Sequence, residues 1–412
     1  MKILMVNKFH YLKGGSEKYY FELAELLREN GHEVAFFSME DEKNIHTDCK
    51  EYFVKPIDLN NGSKLKASDV IYSKENKKKM KEALEDFKPD IVHLNNFQRQ
   101  LSASIVDAIK EKNIPIVFTA HDVQAICPAK TMLDNNRNIC EKCLRGNYKN
   151  CIKNNCIKDS KLKSILGAIE GKYYRNKKIY TQKIDYIITP SEFYKKELVE
   201  DGMPESKIKA LHNFVDVKQY DIERTDAGYG FYFGRLSKEK GILNLIEAFK
   251  KIGKGILYIA GEGPEKENIE KIIKEDNLQD RVKLLGFLSS DKVKQYVSNA
   301  RFIVVPSIWY ENCPYSVMET LAIGKPVVGA KIAGIPELVK DGENGLLYEY
   351  NNTDELANKM RKLFENEKLA KQFGDNAKKM AQKLYAKETY YDKIEEIYTK
   401  NFKGEEKCLI KY

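Results

Sequence analysis

The stretch GFYFGRLSKEKGILNLIEAFKKIGKGILYIAGEGP, residues 230–264, decides the fold. GFYFG (230–234) and GILYIAG (255–261) are short runs of aromatic and β-branched residues closed by glycine, the composition of strands that end at turns. Between them, 241–252 carries a helical pattern. Strands separated by helices of this length form a parallel sheet covered on both faces.

The same alternation continues downstream. A helix near 265–276, VKLLGF (282–287), a helix near 290–299, FIVVP (302–306), a helix from about 314 and PVVGA (326–330) follow in turn. Upstream it begins at KILMV (2–6), with a helix from about Ser16 to Asn30 that carries Tyr20, Leu23, Leu26 and Leu27. EVAFFS (33–38), a lysine-rich helix near 74–87, DIVHL (90–94), a helix near 100–112, PIVFTAH (115–121) and DYIITP (185–190) complete the first half. The expected class is α/β, with two doubly wound domains facing across a cleft. Periodicity lapses near LHNFVDVKQY (211–220), which divides the chain into 1–212 and 213–385. The final helix, about 386–412, has no strand to serve and is expected to pack back on the first domain.

A chain of 412 residues, 42% hydrophobic and 11% aromatic, is folded and long enough for two cores. Its apolar runs are too short to cross a bilayer, and MKILMVNKF reads as a buried strand instead of a secretory core, so a cytoplasmic protein is expected. The net charge of +9 is concentrated. From Lys142 to Lys183 there are twelve Lys/Arg and two acids, Asp159 and Glu170, a surplus of +10. Such a segment is either a solvated face or a patch for anionic headgroups at the inner face of a membrane; no nucleic-acid partner is expected. Within it, Leu162, Ile165, Leu166, Ile169 and Tyr173 fall on one helical face, which reads as core more readily than as membrane contact.

Of eight cysteines, five lie at Cys127, Cys140, Cys143, Cys151 and Cys156. The spacing C-x2-C-x7-C-x4-C from Cys140 to Cys156 is expected to wrap a structural zinc, with a disulfide or plain loop thiols as alternatives.

The remaining motifs all follow strands. Gly14-Gly15 stands between the first strand and the first helix, where backbone N–H groups can approach an anion. The loop lacks the third glycine of a dinucleotide fingerprint, which argues against an NAD-dependent oxidoreductase. Arg235 and Lys240 bring two cations to one helix N-terminus and suit a diphosphate. In YENCPYSVMETLAIGKPVV (310–328), Pro314 fits only the first turn of a helix. Glu311 then lies in the loop above that helix and Glu319 more than a turn inside it; carboxylates accept hydrogen bonds from vicinal hydroxyls. His121-Asp122 closes another strand, where a histidine can donate a hydrogen bond or handle a proton.

Together GRLSKEKG, IAGEGPE, the Gly-Gly loop, E-x7-E from Glu311 to Glu319, and GIPELVKDGENGLL (334–347) resemble family 4 of the retaining glycosyltransferases, with the GT-B fold of two Rossmann-like domains. The resemblance covers nearly the whole chain and is strongest over 230–350. It implies that Arg235 and Lys240 bind the diphosphate of a nucleotide diphosphate sugar, and that Gly14 and Gly15 close over its phosphate. Glu311 would contact the donor sugar, Asn312, Cys313, Pro314 and Tyr315 would lie beside sugar and phosphate, and Glu319 would hold the ribose. His121 would stand near the reacting centre, while Glu262, Gly263 and the region of Gly286-Phe287 would border the nucleoside. Asn312-Cys313-Pro314 departs from the Gly-Phe-Gly of many members. The implied reaction transfers a sugar to an acceptor hydroxyl with retention, by front-face attack in which the diphosphate takes the acceptor proton. No catalytic metal or other cofactor is expected. The implied acceptor is a saccharide or lipid-linked molecule of envelope or polysaccharide synthesis. A nucleotide-sugar epimerase or phosphorylase on the same scaffold would need proton-relay acids, an orthophosphate site or a pyridoxal lysine, none of which is evident. A non-enzymatic nucleotide-sugar binding module is the third reading.

Overall fold

The computed structural model describes residues 1–57 and 67–400. Residues 401–412 of the final helix expected over 386–412 lie outside them. The chain forms two compact units, Met1–His212 with the stretch from Tyr391 onward, and Asn213–Tyr390.

The first unit is built on a seven-stranded sheet. Its strands are β1 (Lys2–Val6), β2 (Glu33–Met39), β3 (Lys50–Val54), β4 (Ile91–Leu94), β5 (Ile116–Thr119), β6 (Tyr186–Thr189) and β7 (Ile208–Ala210), in the order β3-β2-β1-β4-β5-β6-β7. All neighbours pair parallel. A parallel strand is covered on both faces, so its sequence is continuously apolar; Ile3, Leu4, Met5 and Val6 are all fully buried. The helix Gly15–Glu29 lays Tyr19, Tyr20, Leu23 and Leu27 against this sheet. The final helix, Lys387–Lys400, buries Ile394, Ile397 and Tyr398.

The second unit repeats the scheme with β8 (Tyr229–Phe233), β9 (Ile256–Ala260), β10 (Val282–Gly286), β11 (Phe302–Val305), β12 (Val327–Ala330) and β13 (Gly345–Tyr348), in the order β10-β9-β8-β11-β12-β13, again all parallel. In each sheet the chain winds outward one way and then returns to start on the other side. The order reverses between β1 and β4 in the first unit and between β8 and β11 in the second. Loops diverge at such a point, and the crevice outside the strands' carboxyl ends is where open α/β sheets receive ligands.

Two expectations are corrected. The zinc site at Cys140, Cys143, Cys151 and Cys156 does not form: among the described residues no group of three or more His, Cys, Asp or Glu is placed to hold a metal. Cys143 and Cys151 instead enter an apolar cluster with Tyr148 and Ala168, against which Ile152, Cys156 and Ile157 pack. Burial pushes the Cys143 thiol up to about 12. The helix Lys161–Asn176 buries Ser164, Gly167, Ala168, Glu170 and Tyr174, and leaves Leu162 80% and Ile169 50% exposed. A Cβ added at Gly167 would stand 2.4 Å from Ile157 Cδ1, which is how closely this helix approaches the cysteine-bearing loop. Among the described residues no helix is long and apolar enough to cross a membrane.

Candidate active site

In the second unit the loops after β8 and β11 meet. A 3-10 turn, Lys238–Lys240, leads into Gly241, whose φ of 69° lies in the left-handed region. A Cβ there would stand 1.8 Å from the carbonyl oxygen of Pro306, just after β11. The two loops therefore touch backbone to backbone, which only glycine permits. Gly263, after β9, approaches the backbone of Leu236 in the same manner, at 2.2 Å for an added Cβ.

This contact delivers Lys240 to Glu311. Glu311 is only 7% exposed. Its Oε1 accepts hydrogen bonds from Lys240 Nζ at 2.6 Å, Ser307 Oγ at 2.7 Å and Trp309 Nε1 at 2.8 Å. The Lys240 ammonium also lies 5.2 Å from the centre of the Trp309 ring. Burial pushes the Glu311 carboxyl up, but the Lys240 charge and the hydrogen bonds from Trp309 and Ser307 outweigh it and hold the group below the usual carboxylate range. The result is an ionised glutamate and a lysine held in place beside it.

Arg235, at the carboxyl end of β8, is exposed, and among the described residues its guanidinium has no partner. Its carbonyl oxygen accepts from Tyr232 OH at 2.9 Å. Pro314 is the N-cap of the helix Tyr315–Ile323, and Glu319 is half-buried on its second turn. Asn312 and Tyr315 are half-buried beside it. Cys313 turns inward: its Sγ is 3.4 Å from Met318 Sδ, and burial pushes its thiol up to about 12. Its carbonyl accepts from Asn213 Nδ2 at 3.3 Å. Glu262 is exposed and pairs with Lys266 at 3.1 Å. Beyond β10, Phe287 presents an almost bare ring to solvent.

In the first unit, Gly14 is the N-cap of the helix Gly15–Glu29. Its φ is −173°, extended backbone open to any residue, and a Cβ would meet nothing closer than 3.7 Å. Neither turn geometry nor packing accounts for glycine at this position, and the exposed N-terminus of the helix stays open. His121, two residues beyond β5, is half-buried, with Nε2 2.8 Å from Asn95 Oδ1 and its ring 4.7 Å from that of Tyr19. Burial lowers its pKa to about 4. The imidazole is neutral near pH 7, and because an amide oxygen only accepts, Nε2 carries the proton.

The structure thus unites Lys240 and Glu311, sets Arg235 at the neighbouring strand end, and keeps His121, Gly14 and Gly15 in the other unit. Sequence reasoning did not single out Asn95, Ser307 or Trp309. Trp309, the only tryptophan in the chain and two residues before Glu311, was the available signal.

A family model described as Glycosyltransferase Family 4 matches residues 13–219, and one described as Glycosyl transferases group 1 matches 219–380. An uncharacterized glycosyltransferase of Methanocaldococcus jannaschii, MJ1178, is 33% identical over 217 residues, 53% of this chain and 60% of that protein. The N-acetyl-alpha-D-glucosaminyl L-malate synthase of Bacillus anthracis is 26% identical over 231 residues, with the same 53% and 60% coverage. This chain therefore spans little more than half the length of these relatives. Among solved structures, sucrose-phosphate synthase of Thermosynechococcus elongatus superimposes with a TM-score of 0.73 at 20% identity, covering 98% of this chain and 99% of that one. The Anabaena protein Alr3699/HepE, in complex with UDP and glucose, superimposes with a TM-score of 0.69 at 18% identity, covering 97% and 100%.

Proposed function

This chain belongs to glycosyltransferase family 4 and has the GT-B fold, and on that premise we propose that it is a retaining hexosyltransferase that moves a sugar from a nucleotide diphosphate sugar to an acceptor hydroxyl. The observation that carries the proposal is the Lys240–Glu311 pair at 2.6 Å beside the unpaired Arg235, all at the β8/β11 switch point. A departing diphosphate gathers negative charge in the transition state. Fixed cations aimed at that charge stabilise it without reorganising. Arg235 is available for this task, and Lys240 is held ready by its carboxylate. In this proposal Glu311 and Asn312–Tyr315 face the donor sugar, and Glu319 takes the ribose hydroxyls. Glu262, Gly263 and the exposed Phe287 border the nucleoside. Gly14 and Gly15 offer N–H groups to a phosphate. His121 stays neutral beside the reacting sugar, and the leaving diphosphate accepts the acceptor's proton. The chemistry asks for no catalytic metal, because the two cations supply the charge a divalent ion would.

The acceptor is a saccharide or lipid-linked molecule of envelope or polysaccharide synthesis. Exposed Leu162 and Ile169 among the lysines of the helix Lys161–Asn176 support peripheral contact with an anionic membrane on the cytoplasmic side. Mass spectrometry of products from a panel of nucleotide sugars tests the reaction: a transferred sugar supports it, and isomerised donor without transfer would favour an epimerase. Salt-sensitive binding to liposomes containing phosphatidylserine, lost on reversing Lys161 and Lys163 to Glu, is the expected result for the membrane contact. Indifference to lipid would end that part of the reading.

A further inference from the structure

The first unit has its own switch point, between β1 and β4, and a buried lysine lies there. Lys8 follows β1 by two residues, and its backbone N–H donates to Asn96 O, beyond β4, at 2.8 Å. The residue is 6% exposed. Its ammonium is 5.7 Å from the centre of the Phe9 ring, and among the described residues it donates to no oxygen. A second ammonium stands close by: Lys130 Nζ is 3.4 Å from Asp122 Oδ2. Burial, then the Lys130 charge, drives the Lys8 pKa well below its ordinary value, opposed by Asp122. Asp122 and Glu170 both feel the charges of these two lysines, and Asp122 Oδ1 already accepts from Gln124 N at 2.9 Å. The neighbouring Arg99 is committed elsewhere, to Glu170 at 3.1 Å and to Pro128 O.

Buried charges are normally paired, and an uncompensated ammonium beside another is costly. The same neighbourhood holds buried acceptors in want of donors. Gln124 turns Nε2 toward Glu170 at 3.5 Å, Gln98 turns Nε2 to Tyr180 OH at 3.1 Å, and the Oε1 of each is buried with no hydrogen-bond partner among the described residues. A buried lysine without an oxygen partner, beside a second lysine and unused amide acceptors, complements a molecule that carries an anionic group next to hydroxyls.

We propose that Lys8 and Lys130 bind a phosphate or carboxylate of the sugar acceptor, so that the acceptor is an anionic polyhydroxy compound; this rests on the transferase reading above. Asp122 keeps Lys130 in place, and His121 immediately before it sets the acceptor's hydroxyl end near the imidazole. The anion could instead be the donor's own diphosphate, and saturating UDP separates the two sources.

The test is calorimetric titration of the full chain, already saturated with UDP, with inorganic phosphate and, separately, with succinate. One anion site per chain is expected to persist in the presence of UDP. Its affinity should fall roughly tenfold or more in Lys8→Met and in Lys130→Met, the scale of one charged hydrogen bond, and be unchanged in Lys362→Met. Lys130 is partly exposed, so its variant carries the test if Lys8→Met does not fold. The inference is overturned if the UDP-loaded protein binds neither anion, if the anion competes with UDP, or if both lysine variants bind as the wild type does. Failure of the wild type to bind UDP sinks the donor reading alone, and the lysine dependence of anion binding is still read from the same titrations.

Discussion

At Glu311 three donors meet one carboxylate oxygen, and one of them, Lys240, comes from 71 residues earlier in the chain. The two cations of the site should therefore behave differently when removed. Arg235→Ala deletes an exposed, unpaired charge: turnover is expected to fall on the order of 10²–10³, with the unfolding temperature unchanged. Lys240→Ala should cost turnover on the same scale, but it also strands a buried carboxylate. Breaking a buried pair costs about 3–5 kcal/mol, and solvent at the partly exposed lysine reduces that here, so the unfolding midpoint should fall visibly in a urea titration. Equal midpoints for the two variants would mean that Glu311 finds its charge balance elsewhere. The positions of Arg235, Lys240, Glu311 and Glu319 could be read as a motif because each follows a strand. The bond between two of them could not, since spacing along a chain does not encode which side chains pair across a sheet. Nor could the inward turn of Cys313, which depends on Met318 one helical turn on.

The elements that were legible are those with a periodic pattern. Nearly every inner strand, with helices such as Lys74–Phe87 and Ser290–Asn299, lies where its pattern places it. β3, β7 and β13 were missed, and all three are sheet edges. An edge strand lacks a neighbour on one side, so its sequence is short or mixed and the continuous apolar run fades; β3 is mostly half-exposed and β7 has three residues. The helix Lys161–Asn176 misled for the opposite reason. Apart from Tyr174 it buries small or polar residues, Ser164, Gly167, Ala168 and Glu170, which a pattern of large apolar residues does not register. The loop junction after β8 allows a sharp element-scale test. Gly241→Ala puts a Cβ 1.8 Å from Pro306 O at a positive φ. Strain and overpacking of about 1–3 kcal/mol each should lower stability and separate the two loops. Loss of UDP affinity together with the unfolding midpoint is the expected outcome, and an unaltered midpoint would show that the junction yields easily.

At the scale of the whole molecule, the first unit is closed by the helix Lys387–Lys400. His93 on β4 is fully buried, with Nδ1 2.5 Å from Tyr398 OH on the final helix and Nε2 2.7 Å from Thr119 Oγ1. Burial lowers its pKa to about 3, with His121's charge adding to the effect. The unfolded chain takes up this proton near pH 6.5. The stabilising contribution is therefore complete above that pH and is lost as the pH falls toward 3. Between pH 6.5 and 5 the loss is about 2 kcal/mol, and His93→Gln should flatten that part of the stability profile in denaturant titrations followed by circular dichroism. Ending the chain at Tyr390 should expose the Ile394, Ile397 and Tyr398 contacts and destabilise the first unit while the second keeps its own transition; a single unchanged melt would contradict that. The arrangement also has a consequence during biosynthesis. Translation completes the contiguous stretch Asn213–Tyr390 before Tyr398 leaves the ribosome, so the half begun first is finished last. At about 5–20 residues per second, the nascent amino-terminal sheet waits about 10–40 s without its closing helix, an interval in which a holding chaperone has access to it.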